Sequence, residues 1–158
     1  MQLDPAPPDL LFPRLKASLA DLRFSFGVKR AALGPYIIQK WGWDDDYQLA
    51  VHTRHFEKKP FCAIEHRGSR VGTISCWEME GFIRLGEFYL FPSEQRNGLG
   101  TRILTHCLQI ADSRRLPVRL EYLKWNPVGA LYRRHGFGVT GETEIHWLME
   151  RPVPASGD

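Results

Sequence analysis

The chain has 158 residues, 43% hydrophobic and 25% charged, the balance of a globular protein able to bury a core without staples and of a size usual for one domain. Its 21 basic and 18 acidic residues leave a net charge of only +3, with no run of like charge long enough for a nucleic-acid arm, so no nucleic-acid partner is expected and an anionic cofactor suits it well. Cys62, Cys76 and Cys107 are odd in number and form no CxxC, which excludes a disulfide framework or a zinc site of the usual spacing. Met1 to Pro8 carries no secretory pattern and nowhere do about 18 apolar residues run uninterrupted, so the expectation is a cytoplasmic protein that neither enters nor crosses a membrane.

In chain order, the proline-rich stretches at about 1–10 and 152–158 are expected to be frayed ends of one domain covering 1–158. Arg14 to Ser18 reads as a short first strand. Leu19 to Ile38 reads as one or two helices broken at Gly34-Pro35, and Trp41-Gly42-Trp43 marks a loop. Asp44, Asp45 and Asp46 then open a second helix, since carboxylates favour the positive end of the helix dipole.

Phe61 to His66, Gly68-Ser69 and Val71 to Trp77 make a hairpin, and Gly81 turns the chain into Phe82 to Leu90. Leu99, Ile103, Cys107, Ile110 and Ala111 recur at helical spacing, so Gly98 to about Arg114 is a long amphipathic helix. Leu116 to Leu123 is a strand, Pro127 to about Arg134 a short helix stopped by Gly136, and Val139 to Thr143 with Ile145 to Met149 a final strand pair. The order predicts an α/β (α+β) protein with a mixed sheet, not a strictly alternating one.

The segment from Leu90 to Gly100, with Pro92, Gln95, Arg96, Asn97, Gly98 and Leu99 between, joins a strand to the start of the long helix through glycines. Such a turn leaves backbone N–H groups pointing outward and adds the helix dipole, a natural seat for a pyrophosphate. It also serves tight strand-to-helix packing. A P-loop is excluded by the missing Gly-Lys-Ser/Thr, and the Rossmann fingerprint fails because no third glycine follows Gly100. Gly136-Phe137-Gly138-Val139-Thr140-Gly141 does spell GxGxxG, but it leaves a helix and enters a strand, the reverse of the dinucleotide-binding context.

Strand, proline and Gln-x-x-Gly-x-Gly opening a helix resemble motif A of the GNAT acetyltransferases, matched at Gln95, Gly98 and Gly100. Downstream, Leu120-Glu121-Tyr122, then Asn126-Pro127, then Ala130-Leu131-Tyr132 with Gly136-Phe137, resemble motif B. The resemblance covers about Phe61 to Met149. It implies the GNAT fold, a central mixed, mostly antiparallel sheet of six to seven strands with about four helices, and transfer of an acetyl group from acetyl-CoA to an amine without a metal. It further implies that amides around Arg96 to Thr101 hold the coenzyme A pyrophosphate, that the Leu90 backbone pairs with the pantetheine arm, that Asn126 hydrogen-bonds that arm and that Tyr132 reaches the sulfur. Asn126 also reads as a helix N-cap, and Tyr132 as an aromatic packed on the sheet.

An amine must lose a proton to attack a thioester, and a carboxylate within reach is the usual acceptor. Glu87, on the strand entering motif A and on one face with Leu85 and Tyr89, and Glu121, on the next central strand, are the candidates. Glu121 precedes Asn126 by the same step as the base of the family's ribosomal-protein alanine acetyltransferases. Ordered water and backbone groups are the third possibility. His52 and His55 lack companions for a zinc set, and His146 is a guess for the acceptor pocket. The acceptor is expected to be a small-molecule or peptide amine, with Trp41, Trp43 and the acids Asp44 to Asp46 either favouring a cationic amine or only starting a helix. The resemblance leaves a homodimer open. The competing reading is a non-catalytic acyl-CoA-binding regulatory module, against which Tyr132 argues.

Overall fold

A computed structural model describes residues 2–156. The elements in order are β1 (Leu10–Leu11), α1 (Leu19–Trp41), α2 (Asp45–Lys58), β2 (Phe61–His66), β3 (Ser69–Met79), β4 (Phe82–Leu90), a 3-10 turn (Pro92–Glu94), α3 (Leu99–Ser113), β5 (Val118–Leu123), α4 (Gly129–Arg134), β6 (Gly138–Glu142) and β7 (His146–Arg151). Seven strands form one mixed sheet in the order β1-β2-β3-β4-β5-β7-β6, with four helices, as the GNAT fold requires. The parallel pair is β4 and β5, in register at Ile83 with Val118 and Arg84 with Arg119. β7 pairs antiparallel with β5 along six residues and carries β6 on its other side.

The chain contacts divide into two compact units, and β3 and β4 run through both. One comprises Asp4–Ser75 and Glu87–Asn97. Its core holds Leu15, Phe61 and Ala63, with Phe24 and Phe56 packed on them. The other comprises Met1–Leu3, Cys76–Gly86 and Gly98–Asp158. Here α3 buries Leu99, Ile103, Leu104, Cys107, Leu108 and Ala111, a stripe at the 3.6-residue period, while β5 buries Val118 and Leu120.

Two expectations are corrected. The first strand is Leu10–Leu11, paired with His66 and Glu65, not Arg14 to Ser18. Pro13 has no N–H for a continuous ladder, so the chain beyond it keeps only the Arg14–Cys62 bridge, and Ser18 instead accepts from Asp21 N as the N-cap of α1. The N-terminal stretch that reads as frayed buries Leu3 and Leu10, and His106 Nε2 donates to the Leu3 carbonyl at 2.7 Å. The second correction is α1, which runs unbroken through Pro35. Buried Ser25, Val28 and Lys29 before the proline and Ile37 after it hold both halves in place, and Gly34 lets the Trp43 ring approach. Packing on both sides outweighs the lost backbone bond.

Gly42 at φ +72 ends α1, and Asp44 Oδ1 accepts from Tyr47 N at 3.0 Å as the N-cap of α2. Trp43 Nε1 donates to Asp45 Oδ1 at 2.8 Å. Asp44 is thus engaged in starting the helix and Asp45 in holding Trp43.

Candidate functional site

The turn after β4 is built by short-range bonds. Glu94 N donates to Phe91 O at 2.8 Å and Gln95 N to Pro92 O at 3.2 Å. The Gln95 side-chain amide reaches back to the Leu90 carbonyl at 2.9 Å, so this motif residue closes the loop over the strand it follows. Arg96 at φ +64 and Gly98 at φ +84 are left-handed, and left-handed residues within a turn are an ingredient of the backbone concavities that bind anions. Gly98 is the N-cap of α3, a glycine with no side chain of its own to cap the helix, and the first turn has no acidic residue. A Cβ on Gly98 would meet no atom within 4 Å. An open, acid-free helix start suits a phosphate group.

Behind that turn the backbones crowd together. Phe91 N donates to Val71 O at 3.0 Å, and a Cβ on Gly72 would sit 2.1 Å from the Tyr89 carbonyl oxygen. Gly72 carried no functional reading in the sequence, although an isolated glycine inside a strand is the usual sign of such an approach. In β4 the residues Ile83, Leu85 and Glu87 are buried alternately, then the phase slips and Leu90 is the next one buried. The slip coincides with φ +48 at Glu87, a bulge. Tyr89 therefore does not share the face of Leu85 and Glu87, contrary to plain alternation.

Glu87 is 8% exposed and sits in a polar cluster drawn from α1, α2 and β4. Its Oε1 accepts from Lys59 Nζ at 2.9 Å and lies 3.5 Å from His55 Nδ1. Burial works to raise its carboxyl, and the ammonium charges of Lys29 and Lys59 outweigh that, holding it below the ordinary glutamate range. Lys29 is itself buried, which lowers its ammonium despite Glu87. Deeper in, Ser25 Oγ donates to Leu22 O at 2.9 Å and lies 2.7 Å from His52 Nε2. A hydroxyl has one proton to give, so the neutral imidazole donates from Nε2 to Ser25. Burial, then the Lys29 charge, pushes His52 down to about 4. His52 and His55 thus serve this cluster, and among the described residues no group of three His, Cys, Asp or Glu is placed to hold a metal ion.

In the other unit, Asn126 Oδ1 accepts from Val128 N at 3.1 Å in the turn ahead of α4, whose N-cap is Val128, not Asn126 as the sequence suggests, because the helix begins only at Gly129. Tyr132 is 6% exposed, between the rings of Tyr122 at 5.9 Å and Phe137 at 5.6 Å. Burial and then Tyr122 push its phenol above the usual range, so it keeps its proton throughout the neutral range. Gly129 lets α4 lie on Tyr122, because a Cβ there would be 2.2 Å from the Tyr122 hydroxyl. Glu121 is exposed, while its neighbour Tyr122 is buried; successive residues of a strand face opposite ways, so Glu121 projects from the face of β5 opposite Tyr122 and Tyr132. Gly136 at φ +90 follows α4 and leads into β6, the helix-ending place its context indicates. His146 Nδ1 lies 3.5 Å from Thr143 Oγ1 where β7 begins. A cavity of about 290 Å³ lined by Arg84, Arg119, Thr140 and Leu148, among others, contains none of the expected site residues.

With that geometry, the family profile described as Acetyltransferase (GNAT) family matches residues 26–137, and the chain belongs to this family of acyl-CoA-dependent N-acetyltransferases. Solved structures similar to it include a PaiA N-acetyltransferase from Thermoplasma acidophilum in complex with coenzyme A, 18% identical, with a TM-score of 0.69 over 90% of this chain and 99% of that one. A protein from Pyrococcus horikoshii is 21% identical, with a TM-score of 0.72 over 92% and 99%. The ribosomal-protein-S18-alanine N-acetyltransferase from Escherichia coli is 18% identical, with a TM-score of 0.65 over 94% and 97%. Among curated proteins none matches the chain. No helix of the described residues is long and apolar enough to cross a membrane.

Proposed function

We propose that the protein transfers an acetyl group from acetyl-CoA to the primary amine of a small molecule or peptide by direct attack in a ternary complex. The observation that carries this reading is the start of α3, where the left-handed Gly98 opens an acid-free first turn after the short turn that follows β4. The amides from Arg96 to Thr101, including those of Asn97, Leu99 and Gly100, would hold the pyrophosphate, while Leu90 and Asn126 would hold the pantetheine arm. Acetyl-CoA supplies the activated acyl group. A backbone N–H near Leu90 stabilises charge developing on the acyl oxygen. Tyr132, kept protonated by its burial, gives the Oη proton to the departing sulfur. Glu121, exposed on β5, takes the proton of the attacking amine directly or through water.

Two of these neighbours are named as N-acetyltransferases, one of them a ribosomal-protein-S18-alanine N-acetyltransferase, which supports including peptides in an acceptor panel. The test is thiol release from acetyl-CoA with polyamines, amino acids, aminoglycosides and short peptides. Turnover with at least one amine is expected. Coenzyme binding with no turnover across the panel would instead favour the acyl-CoA-binding regulatory module.

A further inference from the structure

Glu87 stands where a proton acceptor was one expectation, yet its surroundings suit another task. Its side chain is 4% exposed, and one carboxylate faces two ammonium groups, Lys59 from the end of α2 and Lys29 from α1. A general base must be protonated for part of every turnover. Protonating Glu87 would leave Lys29 and Lys59 close together with no counter-charge, and a buried charge stripped of its partner is strongly disfavoured. A carboxylate stabilised in its charged form is also a weak base.

The backbone of the same residue is unusual. Glu87 is left-handed at φ +48, and a bulky residue stays in that region only when its surroundings over-determine it. The determinants are present. Thr73 Oγ1, fully buried on β3, donates to the Glu87 carbonyl at 2.9 Å, while Lys59 holds the side chain from the end of α2.

We propose that Glu87 is a positioning residue: its ion pair with Lys59 and its bond from Thr73 lock the β4 bulge that sets the path of Phe88 to Leu90, and it does not take the substrate proton. The inference rests on the coenzyme reading above, because that path leads into the turn assigned to coenzyme A. The proton then goes to Glu121 or to water.

The test uses the full chain with Glu87→Gln, Lys59→Met, Lys59→Arg and the Lys59→Met/Glu87→Gln double variant, titrated with coenzyme A in a calorimeter. Each of Glu87→Gln and Lys59→Met should weaken coenzyme A roughly tenfold or more, since small displacements of a positioned backbone carry costs of that order. The double variant should lose less than the two losses combined, because it removes the Glu87–Lys59 pair whole and leaves only Lys29 without its counter-charge, where Glu87→Gln alone leaves both lysines. Lys59→Arg should restore affinity. With an amine found by the panel, the acid-side inflection of kcat/KM against pH should stay in place in Glu87→Gln. Should Glu87→Gln fail to fold, Lys59→Met and its restoration by Lys59→Arg read the same bulge. Wild-type affinity in Glu87→Gln or Lys59→Met, or a lost acid inflection with normal coenzyme affinity, would overturn the proposal while leaving the coenzyme reading intact. Failure of the wild-type chain to bind coenzyme A would overturn both.

Discussion

Gly72 and Tyr89 stand so close that a single methyl group on the first would lie 2.1 Å from the carbonyl oxygen of the second. The obstacle is backbone, which cannot swing aside as a flexible side chain would, and it lies between the Glu87 bulge and Leu90. Gly72→Ala should therefore cost about 2 kcal/mol of stability as an overpacked site. For a chain of this size that is a fall in Tm of several degrees, on the order of 2–4 °C per kcal/mol. Coenzyme affinity should fall with it. A variant that melts with the wild type would mean that β3 and β4 separate here at little expense.

Gly98 has the opposite environment, with no protein atom within 4 Å of where a Cβ would be, but with φ at +84. Gly98→Ala should cost about 1 kcal/mol through backbone strain alone. Gly98→Val adds bulk at the helix start proposed to hold the pyrophosphate, and should weaken coenzyme A by calorimetry far more than it lowers Tm. Equal affinities for the valine variant and the wild type would remove the cradle from this turn.

Tyr132→Phe keeps the ring between Tyr122 and Phe137 and deletes only the hydroxyl. The turnover number should fall roughly 10- to 1000-fold, reaching into the range of general acid catalysis, with little change in coenzyme affinity. Wild-type turnover, where chemistry limits the rate, would make Tyr132 a packing residue.

His52 provides a pH test. The unfolded imidazole takes a proton near pH 6.5, whereas the buried one resists until about 4, so between these values the unfolded chain binds more protons and stability falls as pH falls. At about 1.4 kcal/mol per unit the loss reaches about 3 kcal/mol near pH 4. Glu87, lowered from an ordinary 4.5, adds a loss of the same sign as pH falls through its folded value. His52→Gln, which retains a donor for Ser25 but does not titrate, should flatten the melting curve against pH between 6.5 and 4. An unchanged slope would assign the loss to other groups.

The elements that periodicity and punctuation describe were legible. β4 was read at its observed bounds, and α3 within a residue at each end, because its stripe from Leu99 to Ala111 repeats cleanly and Gly98 marks the start. β1 escaped because two residues among prolines carry no period, and the break at Pro35 because the packing that holds α1 together comes from outside the segment. The face of Tyr89 was misread for a physical reason: alternation assumes extended backbone, and nothing in Leu85 to Tyr89 announces that Glu87, not Gly86, takes the positive φ. Nor was the setting of Glu87 legible, since Lys59 is 28 residues away and Lys29 lies in another helix. The turn from Leu90 to Gly98 that opens α3 could be read because it is local in sequence.

The most direct test of the account is mass analysis of an amine panel after incubation with the protein and acetyl-CoA, beside the Tyr132→Phe variant and a control without protein. The account predicts one amine that gains a single acetyl group as free coenzyme A appears in equal amount, at a rate much reduced in the variant. Coenzyme A released by hydrolysis with no acetylated amine, or acetylation at the rate of the protein-free control, would contradict it.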